Sequence, residues 1–237
     1  MCGIGLAARA VPGHKVWGVS VDGITAASGA ILTDESVSFT VGDVTEPPPE
    51  PPLPGSVLDT FGGTNGNPIT SRQTDSGHDW IALTNNFLLQ DGEASVAGNP
   101  CECVIETVSP DGTLRAPVRL TPGGTSLQGI GLIGRATDVG NLFLLWAAPV
   151  NNALKLYRKQ DGGNFQEIAS QPMTFVSGTE YVLELVMSGQ QLTGRVVGGI
   201  EVLAVESFNQ AAVRHGIRGQ QNNGDATVSQ FEFIPAE

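Results

Sequence analysis

From about residue 56 onward the sequence is a succession of short runs in which apolar and polar residues alternate, and each run is closed by Gly, Asn or Asp. VLDTF (57–61), ECVIETV (102–108), GIGLIGRAT (129–137), NLFLLWAAPV (141–150), YVLELVM (181–187), QLTGRVV (191–197) and IEVLAV (200–205) are the clearest. A period of two places successive side chains on opposite faces of a strand. Turn signals that recur about every 8 to 12 residues indicate a sandwich or barrel and leave no room for helical crossovers. Gln90-Asp91-Gly92-Glu93 predicts a tight hairpin. Asp161-Gly162-Gly163-Asn164 predicts another, between LKLYRK and FQEIAS. HDWIALT (78–84) is expected to form a strand, and so is TVSQFEF (227–233), with Val228, Gln230 and Glu232 on one side and Thr227, Ser229, Phe231 and Phe233 on the other. The only candidate helix is SFNQAAV (207–213), at most about two turns long.

Residues 46–55, EPPPEPPLPG, hold six prolines in ten positions. Proline fixes φ and removes amide donors, so this stretch reads as a semi-rigid extended linker. It divides the chain into an N-terminal β-rich arm, residues 1–45, and a main domain, residues 56–237. The arm shows two strand-like runs, His14 to Gly23 and Glu35 to Asp43. About 45 residues rarely bury an independent core, so the arm is expected to gain order against the main domain, copies of itself or a host assembly.

Composition narrows the partners. Twenty-four acidic against 12 basic residues give a formal charge of -12, which argues against nucleic acid and anionic membranes, since both are held by Lys and Arg. The three cysteines, Cys2, Cys101 and Cys103, are odd in number and lack redox or zinc spacing, so they are expected to be reduced packing residues. The 31 glycines follow no collagen period and fit a turn-rich fold. The N-terminal MCGIGLAARAVPGHK lacks the pattern of an export leader, and the longest apolar stretch, 139–150, falls short of the roughly 20 residues needed to span a bilayer.

Four stretches, VLDTFGGTNGNPITSRQTDSGHDWIAL, GIGLIGRATDVGNLFLLWAAP, LKLYRKQDGGNFQEIAS and VRHGIRGQQNNGDATVSQFEFIP, resemble in their order the concanavalin A-like, laminin-G-like jelly roll, especially versions from bacteriophage structural gene clusters. The marks carried over fall on Asp59 and Phe61, Gly131 and Arg135, Leu154, Leu156 and Tyr157, and Gly216, Arg218 and Phe231. The resemblance implies an all-β antiparallel jelly-roll sandwich preceded by the small β-rich arm. It also suggests a non-enzymatic accessory protein of a virion, attached to major capsid or tail proteins through the arm, with self-association into a homo-oligomer, a trimer as first guess.

The alternative is a carbohydrate-binding module for a cell-surface or environmental glycan, and a glycan hydrolase stands third. Sugar binding needs an exposed aromatic with polar partners, and Tyr157, Arg158 and Asn164 are the residues that offer it; Trp80, Phe143 and Trp146 sit in apolar runs and are expected in the core. No cofactor is required, although laminin-G-like domains suggest calcium. Asp138 with Asn141, and Asn222 with Asp225, are the oxygen-bearing turn clusters that would hold it, or would simply form turns. Hydrolysis needs two convergent carboxylates. Glu106 with Asp111, across a turn, and Glu180 with Glu184, on one strand face, are the available pairs, and the second is expected to be two ordinary solvated acids. His14, His78 and His215 form no plausible triad with a serine and an acid.

Overall fold

The computed structural model describes residues 6–11, 14–19, 53–121, 128–220 and 226–236, the first two ranges as backbone only. The chain divides into two units, 1–50 and 51–237, and the division falls inside the proline-rich segment. In the first unit β1 (Leu6–Val11) and β2 (His14–Val19) form an antiparallel hairpin. Alternation does not single out β1, whose LAARAV sequence lacks β-branched residues until its last position. The expected run 35–43 and most of the linker lie outside the described residues.

Among the described residues the second unit contains sixteen further strands. These are β3 (Val57–Asp59), β4 (Ile81–Ala82), β5 (Phe87–Gln90), β6 (Glu93–Val96), β7 (Cys101–Glu106), β8 (Gly112–Leu120), β9 (Gly129–Asp138) and β10 (Asn141–Ala148). Then come β11 (Ala153–Lys159), β12 (Gln166–Pro172), β13 (Glu180–Ser188), β14 (Gln191–Val196), β15 (Glu201–Val205), β16 (Arg214–Gln220), β17 (Ala226–Val228) and β18 (Phe231–Pro235). One sheet has seven strands in the order β12-β11-β10-β9-β16-β7-β4. The other has nine, along β15-β14-β13-β8-β17-β6-β5, with β18 also on β8 and β3 on β18. Every ladder between these strands is antiparallel.

The two sheets face each other across one core. Ile130, Leu132, Phe143, Leu145, Leu154, Leu156 and Ile217 from the first sheet meet Leu114, Ala116, Leu183, Leu185, Met187, Phe231 and Phe233 from the second. A second apolar cluster, Val104, Ile133, Ala136, Leu142, Leu144, Trp146 and Ala148, uses the opposite side chains of the seven-stranded sheet. That sheet is therefore apolar on both faces, which is why NLFLLWAAPV, expected to alternate, is instead a nearly continuous apolar run.

The turns expected from Asp91-Gly92 and Asp161-Gly162 form, the first as a two-residue hairpin and the second within the longer connection 160–165, and all four residues adopt positive φ. Three expectations need correction. TVSQFEF is two strands, not one. Val228 and Phe231 both enter the core, an odd spacing that a continuous strand cannot satisfy, and the break lets β17 and β18 pair successive halves of β8. SFNQAAV is a hydrogen-bonded turn with Asn209 at φ 51° and contains no helix. HDWIALT keeps only Ile81 and Ala82 in a strand, because Trp80 leaves the ladder to pack in the core.

Candidate functional site

The outward face of the seven-stranded sheet carries a row of side chains set by strand register. Trp146 on β10 lies opposite Lys155 on β11 and Gly131 on β9. Gly131 in turn lies opposite Arg218 on β16, which lies opposite Glu102 on β7. Two of the three glycines of β9, Gly129 and Gly131, explain the position of the indole. A Cβ at Gly129 or Gly131 would run into the Trp146 ring, so their bare backbone forms the shelf on which the ring lies.

Arg218 reaches back over this shelf. Its guanidinium carbon stands 5.6 Å from the Trp146 ring centre and 4.7 Å from that of Phe165, in the connection between β11 and β12. Glu102, fully buried, supplies its counter-charge, and Arg218 Nη2 donates to Gln220 Oε1 at 2.9 Å. Burial lowers the Arg218 pKa to about 10, which still leaves it cationic at neutral pH. Because Gln220 accepts through its oxygen, its amide nitrogen is the group left for a ligand.

Around Arg218 lies a cavity of about 240 Å³, lined by Leu144, Trp146, Asn151, Tyr157, Phe165, Arg218 and Gln220. Tyr157 and Phe165 meet edge to face with centres 5.9 Å apart. Lys155 stands 5.9 Å from the Tyr157 ring centre and Lys159 stands 5.1 Å from that of Phe165. The site thus combines half-exposed aromatic rings, amides at Asn151 and Gln220, and a fixed guanidinium on a rigid sheet.

Solved structures with similar backbones share this two-sheet arrangement. One is described under endo-acting O-glycanases of the human gut microbiota, with TM-score 0.53, 12% identity, and 76% of this chain against 98% of that one. The exoplasmic/lumenal domain of VIP36 with Ca2+ and Man2 gives TM-score 0.50 and 12% identity over 77% of this chain and 88% of that one. A xylan β-1,4-xylosidase from Bacillus halodurans C-125 gives TM-score 0.50 and 14% identity, over 75% of this chain but 38% of the enzyme. The fold is a concanavalin A-like jelly roll. No protein-family model matches the sequence, and no curated protein does either.

Within this jelly roll the residues singled out from sequence go to different places. Tyr157 lines the cavity. Arg158, its neighbour on the strand, points to the other side, where it pairs with Glu206 at 2.9 Å and donates to Gln166. Asn164 is exposed in the turn after β11. The structure therefore does not bring these three residues together, since adjacent strand positions face opposite ways.

Asp138 and Asn141 do meet, as parts of a turn. The Asp138 carboxylate accepts from the Gly140 amide at 2.6 Å and from the Asn141 side-chain nitrogen at 3.0 Å, while Asn141 Oδ1 accepts from the Asp161 amide. These bonds hold the Asp138 pKa below the usual carboxylate range, the Asn141 bond contributing most. The pair does not suit calcium, because a nitrogen rather than an oxygen of Asn141 faces the carboxylate. Asn222 and Asp225 lie outside the described residues. Among the described residues no group of three or more His, Cys, Asp or Glu is placed to hold a metal.

The carboxylate pairs also separate. Glu184 is 1% exposed and clamped between Arg115 and Arg195 on the outer face of the nine-stranded sheet, which corrects the expectation that it is solvated. Glu180 pairs with Arg119, Glu106 with Arg214, and Asp111 with the buried Arg135. Cys101 and Cys103 are free and buried, and desolvation pushes the Cys103 thiol up to about 12. Trp80 and Phe143 are core residues as expected, whereas Trp146, also buried, faces away from the main core and floors the cavity.

From sequence Arg218 reads only as a feature of the fold, and Asn151, Phe165 and Gln220 do not stand out as site residues. Two signals for them existed. In RHGIRGQ the polar residues Arg218 and Gln220 alternate with small or apolar ones, and in NLFLLWAA the second apolar face has no use inside a two-layer core.

Proposed function

We propose that the jelly roll is a carbohydrate-binding module whose ligand rests on the outer face of the seven-stranded sheet. The observation that carries this reading is the cavity itself: rigid, lined by aromatic rings, and bordered by the amides of Asn151 and Gln220. Its volume is below the roughly 300–1,000 Å³ of pockets for drug-sized molecules, which suits a single sugar ring of a longer chain. The similar structures, one with Man2 bound and the others described as glycan-cleaving enzymes, support a glycan ligand.

Titration of the full chain against a glycan array, with and without chelator, tests this. Tyr157→Ala and Gln220→Ala are each expected to weaken binding at least tenfold while the far-ultraviolet spectrum stays unchanged. A chelator effect would direct attention to residues 221–225, since Asp138 and Asn141 are committed to their turn. Absence of binding to every glycan, or full binding by both variants, would remove the proposal.

A second reading concerns the other unit. The division of the chain near residue 50 supports a tethering arm, and we keep attachment of this arm to a virion, with self-association, as a proposal for that unit alone. Deleting residues 1–45 would abolish particle association and leave glycan binding intact.

A further inference from the structure

Acids outnumber bases two to one in this chain, 24 against 12. Accordingly, nearly every described cation has a carboxylate partner. Arg72, Arg115, Arg119, Arg135, Lys155, Arg158, Arg195, Arg214 and Arg218 are all in ion pairs. Among the residues whose side chains are described Lys159 is the exception. It forms no ion pair, and its ammonium stands 5.1 Å from the centre of the Phe165 ring that lines the cavity.

Position adds to this. Lys155, Tyr157 and Lys159 alternate along β11 and share its outward face, so two of the chain's three lysines flank the aromatic wall. Lys155 is neutralised by Glu167 at 2.9 Å, and Arg218 by Glu102. One unit of positive charge is left beside the cavity, on an otherwise acidic molecule. At about 0.15 M ionic strength charges farther than about 8 Å are largely screened, so a bound ligand responds to this local excess and not to the overall charge.

We propose that the site selects sugars carrying a negative charge, a carboxylate or a sulfate group, and that Lys159 receives that group while the ring rests against Tyr157 and Phe165. The proposal builds on the glycan-binding reading. It adds the class of ligand and the residue that discriminates. Carboxylate and sulfate share the chemistry of a charge-assisted hydrogen bond to an ammonium, which is stronger than its neutral counterpart and accounts for roughly a tenfold preference.

Calorimetry on the full chain at about 0.15 M salt, with oligogalacturonate, a neutral oligogalactan and a sulfated oligogalactan of equal length, tests the inference and separates the two anion sources. Wild-type protein is expected to bind at least one acidic oligosaccharide about tenfold tighter than the neutral one. Lys159→Ala should abolish that difference without changing affinity for the neutral sugar, and Lys159→Arg should retain it. Equal binding of neutral and acidic sugars, or a preference that survives Lys159→Ala, would overturn the inference while leaving glycan binding in place. Failure of all three sugars to bind, in a protein that also binds nothing on the array, would sink both.

Discussion

His215 shows how one buried residue makes the fold sensitive to acid. Its ring is fully buried and stacked on Phe233 at 4.9 Å. Nδ1 accepts from the Arg135 amide at 3.1 Å, and Nε2 lies 3.0 Å from the Ser109 carbonyl, to which it donates as the neutral tautomer. Burial lowers its pKa from 6.5 to about 4, helped by the Arg135 charge and opposed by the Ser109 bond and Asp111. The folded protein therefore holds the neutral ring. Its stability contribution is complete above pH 6.5, falls as the unfolded chain takes up a proton below that, and levels off below about pH 4. A shift of this size corresponds to about 3 kcal/mol. Urea melts between pH 7 and 4.5 should show the decline in wild type and a flatter profile in His215→Gln, which keeps a donor and an acceptor. Asp59 is another buried polar residue on which the fold depends: it accepts from Arg72, from Trp80 Nε1 at 2.6 Å and from the Phe61 amide. Asp59→Ala should cost about 3 kcal/mol in chemical denaturation, because the partly buried Arg72 guanidinium keeps only Asp75 as a partner and the buried indole N–H loses its acceptor. Sequence marked Asp59 as a feature of the opening strand, but not its partners, which lie 13 and 21 residues away.

At the scale of strands, register is what assembles charge and site. On the nine-stranded sheet Glu201, Arg195, Glu184, Arg115 and Glu232 fall in one line across β15, β14, β13, β8 and β18, with opposite signs alternating. This line mirrors the Lys155-Trp146-Gly131-Arg218-Glu102 row on the other sheet, where an aromatic residue and a glycine take two places. Gly131→Ala should disturb that second row. The added Cβ would collide with the Leu145 carbonyl and press on the indole, so a loss of about 1–3 kcal/mol and weaker sugar binding are expected from melts and calorimetry. Strand existence was legible because turn residues and period-two patterning are local. Hence Asp91-Gly92 and Asp161-Gly162 could be recognised as turns before any tertiary information. Pairing partners are not local. Glu184 could not be recognised as buried, because Arg115 and Arg195 reach it only through cross-strand register. Arg218, Gln220 and Phe165 escaped for the same reason: nothing near them in sequence announces that Trp146 lies beneath.

For the whole molecule, the split near residue 50 predicts that residues 53–237 fold without the arm. That fragment should melt cooperatively with the denaturation midpoint of the full chain, within error. A broad transition or loss of solubility would mean that the arm contributes to the core. The order of the strands has a further outcome for synthesis. β3, at the start of the jelly roll, pairs with β18 at its end; β8 waits for β13, β17 and β18, and β9 for β16. While the polypeptide emerges from the ribosome, the long central strands therefore present unsatisfied edges and uncovered apolar surface until β17 and β18 have emerged. Such chains fold slowly and meet one another before they are complete, so the yield of native protein should depend on holding nascent chains apart through low temperature, slow expression or a chaperone.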